Sequence, residues 1–447
     1  MDGSQVRQLK PELDTFLTRY LPLFGRPENH EHAQRFVYGL LGGQERRNTE
    51  NIAEAVEGGV VRTMQKFVAQ AVWDDCDVLR EVRRHVSESL GDEDGTVNVD
   101  ETGFPKKGEK SVGVKRQYSG TLGRVENCQV GVFANYCSSK GHTMMDRRLF
   151  LPNEWAEDAT RREEAGVPSR VIFRSKPELA LEMVQEAMKE GVPFQWVGGD
   201  CVYGDSPTFA GGVRALGKRY VLDVSSEARV WLAKPQMRNV RGSGRSIPIT
   251  KAISVKEVAA TLSSSDFKRI TVSEGSQGPI LYEYAELTVW VSEEGLPCET
   301  AERLLVRRSL GQDPEVKFHR SNAPPDIPLQ CLAQQRSCRW TIEQDIQASK
   351  GECGLDEYET RGWIGWHHHT ALSVLALLFL VLQKLRLGKK RASDDRAPGA
   401  QHHSSSNRSA SLGRGRDRDV VQLADGKKPC RKGMPRTAPA RRTCGAK

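Results

Sequence analysis

Residues 96–120 read TVNVDETGFPKKGEKSVGVKRQYSG: a β-branched run reaches two adjacent acids, Asp100 and Glu101, and passes at once into glycine, proline and lysine. The alternation predicts a short strand, TVNVD, that ends on the acids and is followed by a basic, turn-rich loop. A carboxylate buried without a partner is costly, whereas at a strand end it can face a cleft. If the strand pattern continues, Glu101 points to the face opposite Asp100. A second segment has the same form: FQWVGGD, residues 194–200, is an apolar run that closes on Asp200. Between them the pattern predicts strands at 127–136 and 143–152 and a helix at 177–191, with Pro177 in its first turn. In a mixed α/β sheet this spacing can bring the two aspartates to one cleft.

A third element lies far along the chain. In RWTIEQDIQASK, residues 339–350, a helical step of about 100° puts Arg339, Glu343 and Lys350 at about 0°, 40° and 20°, on one narrow face beside Ile342 and Ile346. By itself such a face reads equally well as a solvated stripe with an i to i+4 ion pair. Two strand-end aspartates and a helix-borne glutamate together offer the oxygen ligands that hard divalent ions take. Arg339, Lys350 and the loop lysines Lys106 and Lys107 are then suited to meeting phosphates.

Outward from these segments the chain divides by texture. Residues 1–92 carry helix-period patterns, 93–224 alternate strands and helices, 225–328 are rich in strand patterns, and 329–387 return to helix. From Gly388 to the end there are 16 Lys and Arg against 5 Asp, so most of the net +8 charge belongs to a low-complexity tail, 388–447, that predicts disorder. The 10 cysteines form no CxxC pair, which argues against a zinc ribbon, and the first residues lack the apolar segment of a secretory signal. The apolar run Thr370–Leu382 is short for a bilayer span and reads as a core helix. Adjacent His367, His368 and His369 point in different directions on a helix and do not form a metal site. Trp290, on a predicted strand, reads as packing.

Five ordered blocks carry a resemblance: VDETGFPKKG (99–108), GVKRQYSGTLGRVENCQVGVF (113–133), LFLPNEW (149–155), WVGGDCVYGD (196–205) and RWTIEQDIQASKGECGLDEYETRGWIGWHHHTAL (339–372). From about Leu13 to Leu380 the chain resembles the DDE transposases of bacterial insertion sequences, in the RNase H-like, retroviral-integrase superfamily. The resemblance implies an α/β fold: an RNase H-like mixed sheet flanked by helices, with a helical N-terminal region and a β-rich insertion before the glutamate helix. It implies Asp100, Asp200 and Glu343 as catalytic metal ligands for Mg²⁺, two ions with Mn²⁺ as a substitute. Arg339, Lys350, Lys106, Lys107 and Arg361 would contact DNA phosphates. One branch carries a Tyr, Arg, Glu, Lys signature, and here its tyrosine position is Arg336.

The implied activity is cleavage at the element's terminal inverted repeats, recognised by the N-terminal helices, and strand transfer into target DNA. The implied partners are double-stranded DNA and a second copy of the chain in the DNA complex, with no membrane. The implied location is the cytoplasm, on the nucleoid when DNA is bound. The alternatives are an inactive or domesticated DNA-binding remnant and an RNase H-like nuclease without strand transfer.

Overall fold

A computed structural model describes residues 9–119, 123–241, 244–275 and 278–394. Of the tail 388–447 expected to be disordered, residues 388–394 are instead helical, continuing the last helix, and those from 395 onward lie outside the described residues. Five helices come first: α1 (Lys10–Thr18), α2 (Pro27–Leu41), α3 (Thr49–Ala55), α4 (Val61–Ala69) and α5 (Asp75–Leu90). Their starts are set by local chemistry: Pro27 sits in the first turn of α2, while Asn48 and Asp74 accept backbone N–H groups at the heads of α3 and α5. In α5 the apolar Val78, Val82 and Val86 recur every four residues and face inward. The N-terminal helices share one core with α10 (Trp363–Asp394), whose Ala371, Leu372 and Val374 to Leu378 are buried. Trp363–Leu387 is by length and composition apolar enough to cross a membrane, more than the 13-residue run suggested. It is nevertheless a core helix, packed against the strand Gly141–Phe150 and against α2, α4 and α5.

The central sheet is built from β1 (Thr96–Pro105), β2 (Lys115–Ser119), β3 (Arg124–Ser138), β4 (Gly141–Phe150), β5 (Trp196–Gly199) and β6 (Arg219–Val224). Its order is β4-β3-β1-β5-β6, antiparallel over the first three strands and parallel from β1 to β6. This is the RNase H-like arrangement. One expectation is corrected: β1 does not stop at the acids. It continues to Pro105, paired with β3 as far as Cys128, whereas its pairing with β5 ends at Val99 opposite Gly199. Thr102 and Phe104 suit a strand, β3 is long enough to accompany them, and Pro105, lacking an N–H, closes the ladder.

The expected β-rich stretch is β-rich, but it extends the same sheet. Among its strands are β7 (Arg229–Trp231), β8 (Lys268–Gly275), β9 (Gly278–Glu293), β10 (Glu302–Arg308) and β11 (Val316–Ser321). β11 pairs antiparallel with β6, followed outward by β10, β9 and β7. A buried polar cluster secures the junction: the Glu302 carboxylate accepts hydrogen bonds from Arg320 (2.6 and 2.8 Å), Tyr220 (2.7 Å) and Arg214 (2.8 Å). Trp290 lies on β9 beside the insertion's apolar core, as packing.

The N-terminal helices are fastened to the sheet by charge. Arg83 of α5 donates to Asp146 of β4 (3.0 Å) and to Glu190 (2.5 and 2.8 Å) after α6 (Lys176–Lys189), and Arg148 adds a second contact to Asp146 (2.6 Å). Asp146 is fully buried. Removing one partner of a buried network leaves the others desolvated and unpaired, so Asp146→Ala is expected to cost about 3–5 kcal/mol, read as a lowered denaturant midpoint. A loss under about 1 kcal/mol would mean that α5 is held by apolar packing alone.

Candidate active site

The acids are brought together by strand register. Val99 pairs with Gly199, and Gly199 with Leu222. One step further along these parallel strands stand Asp100, Asp200 and Asp223, side by side across β1, β5 and β6. Residues at equivalent positions of parallel strands share a face. Asp200 follows the last residue of β5 and caps the short helix α7 (Cys201–Gly204), its Oδ1 accepting the Val202 N–H at 2.9 Å. The tight exit needs two glycines. A Cβ on Gly198 would lie 2.2 Å from Asn98 Oδ1, and one on Gly204 would lie 1.9 Å from the Asp223 carbonyl oxygen.

Alternate residues of β1 face two helices, α8 (Leu329–Cys338) and α9 (Trp340–Cys353), where the sequence pattern suggested one. Thr96 meets Gln335, Asn98 meets the Cys338 carbonyl, Asp100 meets Arg339 and Thr102 meets Lys350. Arg339 sits at the junction between the helices. A polar network pins α9 to the sheet: Asn135 donates to Asp345 Oδ2 (2.7 Å) and Thr341 Oγ1 (2.9 Å), and His142 Nδ1 lies 2.8 Å from Asp345 Oδ1. Glu343, in the first turn of α9 beside the buried Ile342, meets the Arg339 guanidinium.

The guanidinium of Arg339 stands among those acids. Its Nη1 is 3.2 Å from Asp100 Oδ2, its Nη2 2.5 Å from Glu343 Oε1 and its Nε 3.4 Å from Asp223 Oδ2. The carboxylates of Asp100, Asp200 and Glu343 do not close to within 4.8 Å of one another. Burial pushes the Asp100 carboxyl up to about 7, with the charges of Asp200 and Glu101 adding and Arg339 opposing. Burial also raises Asp200 to about 6, helped by Glu101 and opposed by the Val202 N–H and Arg339.

Asp223 is different. Burial raises its carboxyl, but His319, Arg336 and Arg339 outweigh that and hold it well below the usual range. His319 Nδ1 lies 2.7 Å from Oδ1 and Arg336 Nη2 is 2.9 Å from Oδ2. Burial lowers the His319 pKa, with Asp223 opposing, and Nδ1 is the ring nitrogen that faces the carboxylate. Reading the sequence missed Asp223. The available signal was an acid interrupting the apolar strand RYVLDV. Arg336, at the signature's tyrosine position, thus braces this acid.

The remaining residues spread along β1. Glu101 faces away, accepting from Lys176 Nζ and the Tyr203 hydroxyl, both at 2.8 Å. Lys350 Nζ is 2.9 Å from Thr102 Oγ1, and Lys106 lies 3.6 Å from the Tyr358 ring centroid. Lys107 and Arg361 are exposed. His367, His368 and His369 hydrogen-bond three different backbone carbonyls, those of Trp363, Trp73 and Gly354.

The model of the DDE superfamily endonuclease family matches residues 19–279. The chain belongs to that family. The match includes Asp100, Asp200 and Asp223 and ends before Glu343, whose place at the site rests on the geometry above. A probable transposase for insertion sequence element IS701 from Microchaete diplosiphon is 27% identical over 350 residues, 77% of this chain and 81% of that protein. Among solved structures, a piggyBac transposase synaptic complex with hairpin DNA is 11% identical and covers 82% of this chain and 68% of its own, with a TM-score of 0.40. The NurA nuclease from Sulfolobus solfataricus is 10% identical and covers 73% and 94%, with a TM-score of 0.25. Both are too distant to inform the site. The family generally uses divalent metal ions. The cluster fits them: hard oxygen donors, two of them largely buried carboxyls at neighbouring strand ends whose pKa values burial raises.

Proposed function

We propose that this chain is the transposase of an insertion sequence, cutting double-stranded DNA at its element's terminal inverted repeats and joining the freed ends to target DNA. The observation that carries the reading is the placing of Asp100 and Asp200 at neighbouring ends of parallel strands, with Arg339 bridging Asp100 to Glu343, on a sheet of RNase H-like order. Asp100, Asp200 and Glu343 would hold two Mg²⁺ ions, with Mn²⁺ accepted. Bound there, the ions supply positive charge to the scissile phosphate and acidify the attacking hydroxyl. The protein's own groups do the positioning. Asp100 and Asp200 lie on fixed strands, Asp345 and Asn135 lock the helix that carries Glu343, and Asp223 anchors Arg339. Arg339 and Lys350, lining the same face of β1, are placed to meet phosphate on one side of the cut.

The N-terminal helices would recognise the end sequence, because this chemistry is nearly blind to base identity. Pairing two ends calls for a dimer on DNA. The protein would work in the cytoplasm, on the nucleoid when bound.

The test uses the full-length protein, Mg²⁺, and duplexes carrying the repeats that flank its own coding sequence. Nicked 3′-hydroxyl ends and products joined to a target plasmid are expected, with Glu343→Gln lowering both by at least about 100-fold, in line with the loss of an electrostatic catalytic group. Cleavage without joining would make the chain a plain nuclease. Binding without cleavage would make it a DNA-binding remnant.

A further inference from the structure

Beyond Asp100, cations follow β1 outward in order. Arg339 lies at Asp100, Lys350 at Thr102 and Lys106 after Pro105. The segment after α9 continues the same path, since the Arg361 carbonyl accepts the Val112 N–H at 2.9 Å. There an open cavity of about 740 Å³ is lined by Lys110, Lys115, Arg116, Arg161 and Arg361, against Glu109 and Glu164. Lys110 pairs with Glu164 (3.3 Å) and Lys115 with Glu154. Arg116, Arg161 and Arg361 form no ion pair among the described residues. Arg161 is instead stacked 3.9 Å from the centre of the Trp155 ring, with Nη2 3.2 Å from the Glu109 carbonyl, which fixes its direction.

The cavity continues onto the ribbon formed by β2 and the start of β3. Arg116 pairs with Asn127 and Tyr118 with Val125, and by strand alternation these four share one face. Asn127 and Arg116 line the cavity. Tyr118 is 61% and Val125 55% exposed, an unusual pair to leave in water beside guanidinium groups. A surface of planar cations and an exposed aromatic ring matches a polyanion with groove edges.

We propose that this ribbon and cavity bind duplex DNA on one side of the cut, with Arg116, Arg161 and Arg361 on the phosphates and Tyr118 against the groove wall. The proposal rests on the transposase reading above and adds where the DNA leaves the site. From Asp100 to Pro105 is about 17 Å at strand rise, so the contact falls about five base-pair steps from the scissile bond.

The experiment compares the full-length protein with Arg116→Ala/Arg361→Ala, both at exposed positions, and with a charge-matched control on other surfaces, Lys189→Ala/Lys256→Ala. Anisotropy of a labelled end duplex is measured across a salt series, and hydroxyl-radical footprints are taken in Ca²⁺. The expected result is affinity about 10-fold weaker, a log–log salt slope smaller by about two, and loss of protection about five base pairs from the cut only, with the control unchanged. Equal binding and an intact footprint in the arginine variant would overturn the proposal and leave the transposase reading standing. Failure of the unsubstituted protein to protect its end duplex at all would overturn both.

Discussion

Asp200→Asn is expected to abolish metal-dependent DNA cleavage, by at least about 1,000-fold, while making the metal-free protein more stable at pH 8. The two effects have one cause. Asp200 is raised to about 6 and Asp100 to about 7 because folding buries both carboxyls beside other acids. A group whose folded pKa lies above its unfolded value is penalised when it ionises. The penalty is absent below about pH 4, grows as the pH rises through the interval up to the folded pKa, and is complete above about 7. Metal-free protein therefore loses stability from about pH 4 to about pH 7. Asparagine keeps the shape and still accepts the Val202 N–H, yet carries no charge, so it is expected to recover about 2 kcal/mol at pH 8 and almost none at pH 4.

Divalent ions should act in the same direction, raising the melting temperature of the unsubstituted protein more at pH 8 than at pH 5.5. That gain should shrink in Asp200→Asn. A variant that is destabilised equally at both pH values, or that still cuts, would remove Asp200 from the metal site.

The second large effect concerns the acid that the sequence did not reveal. Asp223 holds His319, Arg336 and Arg339 at once and is itself nearly buried. Asp223→Ala strands two largely covered guanidinium groups and is expected to cost about 3–5 kcal/mol, whereas Asp223→Asn, which still accepts hydrogen bonds, should cost less. Because Arg339 would then lean on Asp100 and Glu343 alone, cleavage by Asp223→Asn should fall mainly in kcat, with DNA affinity little changed. A double-mutant cycle with Arg336→Ala isolates the pair, and a coupling above about 1 kcal/mol is expected. Coupling near zero with unchanged kcat would reduce Asp223 to a surface-like strand acid.

Much of the site could be read from short-range pattern. Asp100 and Asp200 each close an apolar run, and Arg339, Glu343 and Lys350 share a helix face by spacing alone. The break between α8 and α9 was not legible, because Arg339 has helical dihedrals and no glycine or proline marks the junction. The end of β1 was misplaced for a related reason: glycine and proline signal a turn locally, but the length of β3 decides how far the pairing runs. Asp345 and His142 lie far apart in sequence, so nothing local announced that they would lock the helix carrying Glu343.

By itself, the sequence determined where acids interrupt apolar segments, which residues share a helical face, and that the positive charge gathers at the C-terminal end, since these follow from the periods of strand and helix and from composition. Only the tertiary structure decided that Asp100, Asp200 and Asp223 stand in one row, because that depends on the register of three parallel strands. It also decided that Arg339 turns inward among them, because a buried guanidinium goes where several carboxylates converge, and that convergence exists only once the sheet and the α8–α9 pair have packed.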